Sequence, residues 1–248
     1  MIIGSAAIFS RFDDLKFFIS TKCGGVSPPP YFLNLSFNVK DSAKNVETNR
    51  KLFFDTIKVN QNDVAFTKQI HSDVVTVVQS AGIYADCDAL VTNKKDIFLS
   101  ISVADCVPIF LYDSNKHVIA AIHSGWKGSQ NKILLKTIKV MEQKFNSNTK
   151  DVFAYIGYSA SKCCYEVGFD VASQFGEKYY QRKNETKFLL DLKNFNSDIL
   201  IETEVPKEQI EISEFCTICN PNFLHSYRRD GKESGRMLGI IGMKSDKF

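Results

Sequence analysis

The sequence predicts one domain of mixed α-helices and β-strands, and three observations lead to that prediction. First, a chain of 248 residues with 44% hydrophobic and 24% charged residues is long enough to bury one large core. Second, short β-branched and apolar runs are interspersed with segments whose apolar residues recur at helical spacing. Third, no repeat, low-complexity tract or linker divides the chain, so we expect residues 1–248 to form a single domain.

The first half of the chain predicts several strands and one helix. A strand at residues 17–21 ends at a loop rich in glycine and proline, which cannot continue it. Asp41 or Ser42 can cap a helix in which four apolar residues recur at helical spacing. Arg50 lies near that apolar face, where an arginine either pairs with a buried carboxylate or binds a ligand anion. Further strands are expected at residues 64–70, 74–78 and 97–103.

The second half predicts helices that alternate with strands. Ser129 can cap a helix that extends to Phe145, and Asp191 can cap another that reaches Leu200. A third helix is expected at about residues 170–181. Strands are expected at residues 152–156, 210–212 and 237–243.

The middle of the chain predicts a β-hairpin that brings a cysteine and a histidine together. Two apolar runs, 109–112 and 118–122, are joined by the polar residues 113–116. Cys106 stands just before the first run, and His123 follows the second. In an antiparallel pair these two positions lie across from one another at the same end of the sheet.

His71, near the end of an expected strand, is the best third member of this pair. One thiolate and two imidazoles can bind a catalytic zinc ion whose fourth position is left to water. The spacing of His71, Cys106 and His123 follows no local zinc-finger motif. A buried structural cysteine and two hydrogen-bonded core histidines would explain the same residues.

The same residues also suit nucleophilic catalysis without a metal. Cys106 could attack a carbonyl with His123 as its base, and Asp105 or Asp88 could orient the imidazole. The two interpretations differ at His71. A thiol hydrolase does not need this residue, whereas a metal site fails without its third ligand.

The chain has seven cysteines, which is an odd number, and their spacing is not that of a disulfide framework, so we expect reduced thiols. Cys216 and Cys219 have the spacing of half a structural zinc site, but no second pair of that kind follows. The adjacent Cys163 and Cys164 cannot easily both turn toward one ion. The sequence therefore favours small core residues here, with a redox pair as the alternative.

Basic residues with the geometry for phosphate binding occur near two turns. Lys127 lies in a glycine-rich turn before a helix, which is either an anion site or only a tight turn. Arg228, Arg229 and Arg236 follow later in the chain, and an arginine fork matches phosphate oxygens. Pairing with Asp230 in solvent is the alternative for each arginine.

The charge and hydropathy of the chain exclude several classes of partner. The net charge is +3, and no dense run of Lys or Arg indicates a surface for nucleic acid. No run of about 18 apolar residues predicts a membrane span. The first residues lack the pattern of a secretory signal, so we expect the protein in the cytoplasm.

Eight short motifs, in order along nearly the whole chain, carry a family resemblance. They are TKCGGVS (21–27), NL (34–35), QIHS (69–72), DALVT (88–92), ADCVP (104–108), HSGWKG (123–128), CCYEV (163–167) and SYRRDG (226–231). Together they resemble the YfiH-like family. That family is also labelled the laccase-domain or multicopper polyphenol oxidase family, and zinc-dependent purine nucleoside phosphorylase.

The resemblance implies a mixed α/β fold with mixed β-sheets sandwiched between helices, similar to a bacterial toxin deamidase built on a Cys–His pair. It also implies a metal ion, zinc, bound by His71, Cys106 and His123. The implied activity is phosphorolysis of adenosine, inosine and methylthioadenosine, with deamination of adenosine at the same site. A purine nucleoside and phosphate are therefore the expected partners.

Residue type and motif position suggest the remaining roles. Asp105 or Asp88 would move a proton, and Trp126 or Tyr227 would stack on the base. Four basic residues are candidates for neutralising phosphate charge: Lys127, Arg228, Arg229 and Arg50. The alternative activity is that of a thiol-dependent amidase or peptidoglycan-editing hydrolase with Cys106 as its nucleophile.

The laccase label can be tested against the histidine count. A multicopper oxidase needs one copper bound by a cysteine and two histidines, and further copper ions bound mostly by imidazoles. The chain has only four histidines, which are too few. We therefore reject an oxidase mechanism and expect copper only as an adventitious occupant of the zinc site, because copper outranks zinc in affinity for such ligands.

Overall fold

The computed structural model describes residues 1–245, which contain fifteen β-strands. In chain order they are β1 Ile3–Gly4, β2 Leu15–Ser20, β3 Val64–Lys68, β4 Val75–Val77, β5 Gly82–Ala85, β6 Ala89–Thr92, β7 Phe98–Val103, β8 Val107–Asp113, β9 Val118–Ser124, β10 Val152–Ile156, β11 Glu166–Val167, β12 Tyr180–Arg182, β13 Phe188–Leu190, β14 Ile210–Ile212 and β15 Met237–Met243.

The same residues contain six α-helices, three of which are only four or five residues long. In chain order they are α1 Ala43–Ile57, α2 Trp126–Gln130, α3 Ile133–Phe145, α4 Phe169–Ala172, α5 Leu192–Glu202 and α6 Tyr227–Asp230. No helix among the described residues is both long and apolar enough to cross a membrane.

The strands form two six-stranded mixed sheets and one small sheet. The first sheet has the order β1-β2-β15-β7-β3-β5, and the second has the order β14-β10-β8-β9-β6-β4. The small sheet is β11-β13-β12. Most neighbours pair antiparallel, while β3 with β5, β3 with β7, β4 with β6 and β10 with β14 pair parallel.

The two large sheets stack face to face, and helices cover their outer faces. Side chains alternate along β8, so Ile109 and Leu111 pack in the same core as α3 and α5. Phe110 and Tyr112, on the opposite face, pack with residues of β2, β7 and β15. Helix α1 covers the other side of the first sheet. The expected mixed sheets between helices are confirmed, with four layers in the order helix, sheet, sheet, helix.

The expected hairpin is confirmed as β8 and β9. Their antiparallel register pairs Pro108 with His123 and Val107 with Ser124. The backbone amides of Asn115 and Lys116 both donate to Asp113 Oδ1 at 2.9 Å, which closes the turn. Because pairing runs to the end of both strands, the residue before β8 and His123 lie at one sheet edge.

Several other predicted elements are confirmed, and two are wrong in their limits. Asp191 caps α5, since its side chain accepts a hydrogen bond from the backbone amide of Asn194. Ser129 does not cap a helix, because α2 already begins at Trp126. The left-handed backbone at Lys132 then separates α2 from α3.

The helix expected at 170–181 is confined to α4. Gly176, which lowers helix propensity, follows soon after it. A single 3₁₀ turn at Glu177–Tyr179 comes next, and the chain then forms β12, which pairs with β13 from Tyr180 opposite Leu190 to Arg182 opposite Phe188. The tertiary partner therefore overrides the helical spacing of the apolar residues.

Candidate metal centre

The structure brings His71, Cys106 and His123 together at one edge of the second sheet. His71 lies in the loop between β3 and β4, Cys106 precedes β8, and His123 is the penultimate residue of β9. The cysteine sulfur and one nitrogen of each ring all lie within 4.8 Å of one another. Cys106 Sγ is 3.9 Å from His71 Nε2, and the two imidazole rings meet edge to face with centroids 4.9 Å apart.

Asp88 positions this group through hydrogen bonds on its buried side. It is fully buried, and its carboxylate accepts hydrogen bonds from the backbone amides of Ile70, His71 and Ser72 at 2.7–3.2 Å. The same carboxylate lies 2.8 Å from His123 Nδ1. The Ser72 hydroxyl donates to it as well. One buried side chain therefore holds both the His71 loop and the ring of His123.

The pKa of Asp88 decides which nitrogen of His123 carries a proton. Burial alone would raise that pKa, but hydrogen bonds from His123 and Ser72 outweigh it and lower the pKa of Asp88 to about 2. An ionised carboxylate can only accept, so His123 Nδ1 donates to it. Nε2 then faces Cys106; without a metal it also carries a proton at neutral pH, because the pKa of His123 is raised to about 9, and a bound metal ion would displace that proton.

The turn that carries Cys106 has a strained backbone that other residues hold in place. Asp105 adopts a φ of +94°, and His71 adopts a φ of +59°, both in a region that L-residues rarely occupy. The Asp105 carboxylate accepts hydrogen bonds from Thr217 Oγ1 and from the backbone amide of Arg228, each at 2.6 Å. These bonds tie the Cys106 turn to α6 and to the segment before it.

The charges in the group favour an ionised sulfur. Burial opposes ionisation of the Cys106 thiol, but the charge of His123 and hydrogen bonds from both histidines lower its pKa to about 6. Burial would likewise lower the pKa of His123, yet Cys106 and Asp88 raise it to about 9. A thiolate therefore forms at neutral pH, and a thiolate is the form of cysteine that binds metals.

The donor set fits a zinc ion. Zinc binds thiolate and imidazole together, and a tetrahedral site with Zn–S of about 2.3 Å and Zn–N of about 2.0 Å places sulfur and nitrogen about 3.6 Å apart. Space for this approach comes from Gly125, where a Cβ atom would lie 3.0 Å from Cys106 Sγ and 3.3 Å from His71 Cδ2. Three protein ligands leave one coordination position open.

The open side of the group faces a cavity of about 570 Å³, which all three residues help to line. Asp105, Arg228 and Arg236 are the charged residues among the rest of the lining. The aromatic and polar lining residues are Trp126, Tyr165, Tyr227, Ser36, Asn38, Thr67, Gln69 and Ser102. The cavity thus combines an ion site, two guanidinium groups and flat apolar surfaces.

Comparisons with known proteins agree with this architecture. Residues 16–244 match the family described as multi-copper polyphenol oxidoreductase laccase. The chain belongs to this family. Purine nucleoside phosphorylase YlmD of Bacillus subtilis is 35% identical over 242 residues, covering 91% of this chain and 87% of that protein. Purine nucleoside phosphorylase CA_C1699 of Clostridium acetobutylicum is 34% identical over 245 residues, covering 94% of each chain.

Solved structures share the fold of this laccase-family chain. YlmD from Geobacillus stearothermophilus superposes with a TM-score of 0.91 at 26% identity, covering 97% of this chain and 94% of that chain. The hypothetical protein YfiH of Bacillus licheniformis superposes with a TM-score of 0.87 at 31% identity, covering 93% of both. The resemblance to the YfiH-like family is thereby confirmed.

Of the residues predicted to bind phosphate, some line the cavity and others lie outside it. Arg228 lines the cavity, with its guanidinium 5.3 Å from the centre of the Tyr165 ring. Lys127 is exposed and lies outside the lining, with its Nζ 5.6 Å from the ring centre of the neighbouring Trp126. The helical turn α6 points Arg229 away from the cavity.

The side chains of Arg229 and Arg50 bind other groups of the same chain. Arg229 pairs with Asp230 at 2.7 Å and donates to the backbone oxygens of Thr217, Ile218 and Leu224. Arg50 donates to the Leu35 carbonyl oxygen at 2.8 Å. Its guanidinium lies within 4.8 Å of the ring centres of Phe37 and Phe66, beside a second cavity of about 450 Å³.

Tyr165 and Gln69 are among the lining residues to which the sequence analysis gave no role. Arg236, one of the basic residues considered for phosphate binding, also lines the cavity, and its guanidinium lies 5.4 Å from the ring centre of Tyr227. Tyr165 belongs to the CCYEV motif, which was the available signal for it. Gln69 belongs to the QIHS motif, and its side chain binds the backbone of Ser102 through both amide atoms.

Proposed function

We propose that this chain is a zinc-dependent purine nucleoside phosphorylase. The observation that carries the proposal is the group of His71, Cys106 and His123, which opens onto a cavity with two arginines and three aromatic rings. The names of the two relatives at 35% and 34% identity support the same reaction. The proposed substrates are adenosine, inosine and methylthioadenosine, together with phosphate, and the same site would deaminate adenosine.

His71, Cys106 and His123 would hold the zinc ion. When bound, the ion would supply Lewis-acid polarisation of an oxygen atom at its open position. Asp88 would keep the His123 ring in the tautomer that can ligate, because its ionised carboxylate accepts the Nδ1 proton. This assigns Asp88 a positioning role, and the proton transfer expected of it falls to another group.

Arg228 and Arg236 would bind the phosphate. Phosphorolysis forms a bond between a phosphate oxygen and C1′ of the ribose and breaks the bond from C1′ to the purine nitrogen. Two guanidinium groups on the cavity wall would hold the attacking oxygens and neutralise their charge. Tyr165 and Tyr227, each close to one of the guanidinium groups, support their orientation.

The purine would stack on an aromatic surface, and a carboxylate would transfer a proton. Trp126, Tyr165 and Tyr227 line the cavity and offer faces for stacking. Asp105 is the carboxylate among the lining residues, so we assign to it the relay of a proton from the attacking phosphate to the leaving purine. Its two hydrogen bonds, from Thr217 and Arg228, would fix its position.

A thiol-dependent amidase or peptidoglycan-editing hydrolase is the second candidate. The observation that favours it is the row of Cys106, His123 and Asp88, which has the order of nucleophile, base and orienting carboxylate. For either activity we propose a cytoplasmic location, where reduced thiols persist.

Chelation tests the two activities against each other. The purified protein is incubated with inosine or adenosine and phosphate, and free base, ribose 1-phosphate and ammonia are measured. We expect turnover that disappears after dialysis against a strong chelator and returns when Zn²⁺ is added back. Amidase activity that survives chelation and disappears with iodoacetamide, with no nucleoside turnover, would favour the second candidate and contradict the first.

A further inference from the structure

A second group of sulfur atoms lies outside the cavity. Cys163 and Cys164 lie in the loop between β10 and β11, and Cys216 and Cys219 lie in the segment between β14 and α6. Their four sulfur atoms are all within 4.8 Å of one another. Cys219 Sγ is 3.0 Å from Cys164 Sγ and 3.5 Å from Cys163 Sγ. All four cysteines are free thiols.

The sequence interpretation of Cys216 and Cys219 as small core side chains is confirmed for Cys216 and is wrong for Cys219. Only Cys216 is buried, while Cys163 and Cys219 are exposed and Cys164 is half-buried. The expectation that Cys163 and Cys164 could not both turn toward one point also fails. The backbone amides of Cys164 and Tyr165 both donate to the Ser161 carbonyl oxygen at 2.9 Å. This tight turn brings two adjacent sulfurs to the same side.

The arrangement has the chemistry of a closed metal site. Structural zinc sites take four ligands, often four cysteines, and Zn–S bonds of about 2.3 Å give a tetrahedron with edges of about 3.8 Å. The four sulfurs are gathered on that length scale. Cys216 and Cys219 also have the two-residue spacing that is common among zinc ligands.

Backbone amides near Cys216 can stabilise a negative charge on its sulfur atom. The backbone amide of Ser161 donates to Cys216 Sγ at 3.4 Å, and the amides of Ile218 and Cys219 also bond to it. Such N–H···S contacts support metal-bound thiolates. This pattern is independent of the distances between the sulfurs.

A buried cation provides a further observation. Lys193 is only 6% exposed, and its Nζ donates to the carbonyl oxygens of Ser213 at 2.6 Å and Phe215 at 2.9 Å. Its charge acts favourably on Cys216 and Cys163. Four thiolates around a dication carry two net negative charges, which a buried ammonium group partly balances.

We propose that Cys163, Cys164, Cys216 and Cys219 form a structural site that binds Zn²⁺ through four thiolates. Because all four tetrahedral positions come from the protein, the site holds chain segments together and leaves no position for a substrate. This proposal does not depend on the activity of the cavity.

The site would fix one wall of the cavity. Tyr165, which lines the cavity, directly follows Cys164. Thr217, which lies between Cys216 and Cys219, donates to Asp105 beside the first group. Crosslinking the two segments through a metal ion would therefore set the positions of both an aromatic and a carboxylate lining residue.

Metal content of matched variants tests the proposal. Wild-type protein and the variants C216S/C219S and C23S are purified under reducing conditions, and zinc per chain is measured by mass spectrometry. We expect C216S/C219S to hold one equivalent less than the wild type, and C23S, whose cysteine lies outside the group, to match the wild type. Equal zinc in the wild type and C216S/C219S would overturn the proposal.

X-ray absorption at the zinc edge gives a test that does not require a folded cysteine variant. The variant H71A removes a ligand of the first group and leaves the second intact. We expect its bound zinc to show a shell of sulfur neighbours only, at about 2.3 Å. A shell dominated by nitrogen or oxygen, H71A without zinc, or disulfides among the four cysteines in the reduced protein would contradict the site.

Discussion

The two groups of side chains that carry metal-ligating atoms differ in donor number and in surroundings. His71, Cys106 and His123 offer three donors at the edge of a sheet, with a buried carboxylate behind them and a cavity in front. The four cysteines offer four donors of one kind on two surface loops. The number of protein ligands decides whether a bound ion can contact a substrate, because only a group of three ligands leaves a coordination position open.

The backbone beneath the two groups differs as well. Cys106 and His123 are placed by the register of β8 and β9, which would persist without any ion. Cys163 and Cys164 lie 56 and 55 residues from Cys219 and join loops that have little regular structure. A metal ion in the second group would therefore contribute to stability, as crosslinks of distant segments do.

Loss of a ligand in each group gives the largest expected effect. We expect His71→Ala to lower kcat/KM for phosphorolysis by about 10³-fold or more, since several kcal/mol of transition-state stabilisation would be lost. C216S/C219S should instead lower the melting temperature and change kcat per folded molecule less than about tenfold. Steady-state kinetics and thermal unfolding measure both. The reverse pattern would contradict the assignment of open and closed sites.

Removal of the carboxylate behind the first group should have the next largest effect. Asp88→Asn keeps the shape of the side chain but removes the charge that accepts the His123 Nδ1 proton. We expect zinc affinity and activity to fall about 10- to 100-fold, the usual range for an outer-shell partner. Competition with a chelator measures the affinity. Asp73→Asn is the control, because Asp73 pairs with Lys136 outside the cavity, and an equal loss there would count against the positioning role.

The first group could be predicted from the sequence because local rules place it. Two apolar runs of strand length and a short polar turn predict the β8–β9 hairpin, and the register of that hairpin sets Cys106 beside His123. His71 was added by chemistry and by family resemblance. Its exact position depends on Asp88, which lies just before β6 and accepts hydrogen bonds from the His71 loop, and no local sequence pattern predicts that contact.

The second group could not be predicted, since its geometry depends on turns and long-range packing. Adjacent cysteines in an extended chain point to opposite sides, and only the turn at Ser161 brings Cys163 and Cys164 to one side. The same limit applies to Arg228 and Arg229. The sequence indicates that the adjacent side chains of Arg228 and Arg229 point in different directions. The carbonyl oxygens that bind Arg229 determine that Arg229 is the one that points away from the cavity.

Loss of a positive charge from the cavity beside the first group should have a smaller effect on activity. Arg228→Gln removes a guanidinium from the cavity but keeps the backbone amide that donates to Asp105. We expect KM for phosphate to rise about tenfold, corresponding to one charge-assisted hydrogen bond. Lys127→Gln is the matched control and should change KM less than about twofold, because Lys127 lies outside the lining. Equal effects of both variants on initial rates at varied phosphate would contradict the assignment.

The pKa values of the cysteines differ between the two groups even without metal. The resulting difference in alkylation rate is the smallest effect that we expect. After chelation and reduction, Cys106, with its pKa lowered to about 6 by the histidines against the effect of burial, is mostly thiolate at pH 7. Its rate of alkylation by iodoacetamide should therefore change by less than about 1.5-fold between pH 7 and 8. An ordinary thiol with a pKa of about 8.5 would gain about eightfold.

Two cysteines of the second group, Cys163 and Cys164, should behave in the opposite way. Burial and the neighbouring Cys219 raise the pKa of Cys163 to about 11 and also raise the pKa of Cys164. Both thiols stay protonated at pH 7 and should be alkylated after Cys106, although Cys163 is more exposed. Peptide mass spectrometry over a pH series identifies each labelled cysteine. Faster labelling of Cys163 than of Cys106 at pH 7 would show that exposure, and not the charge of His123, controls the reactivity of these sulfurs.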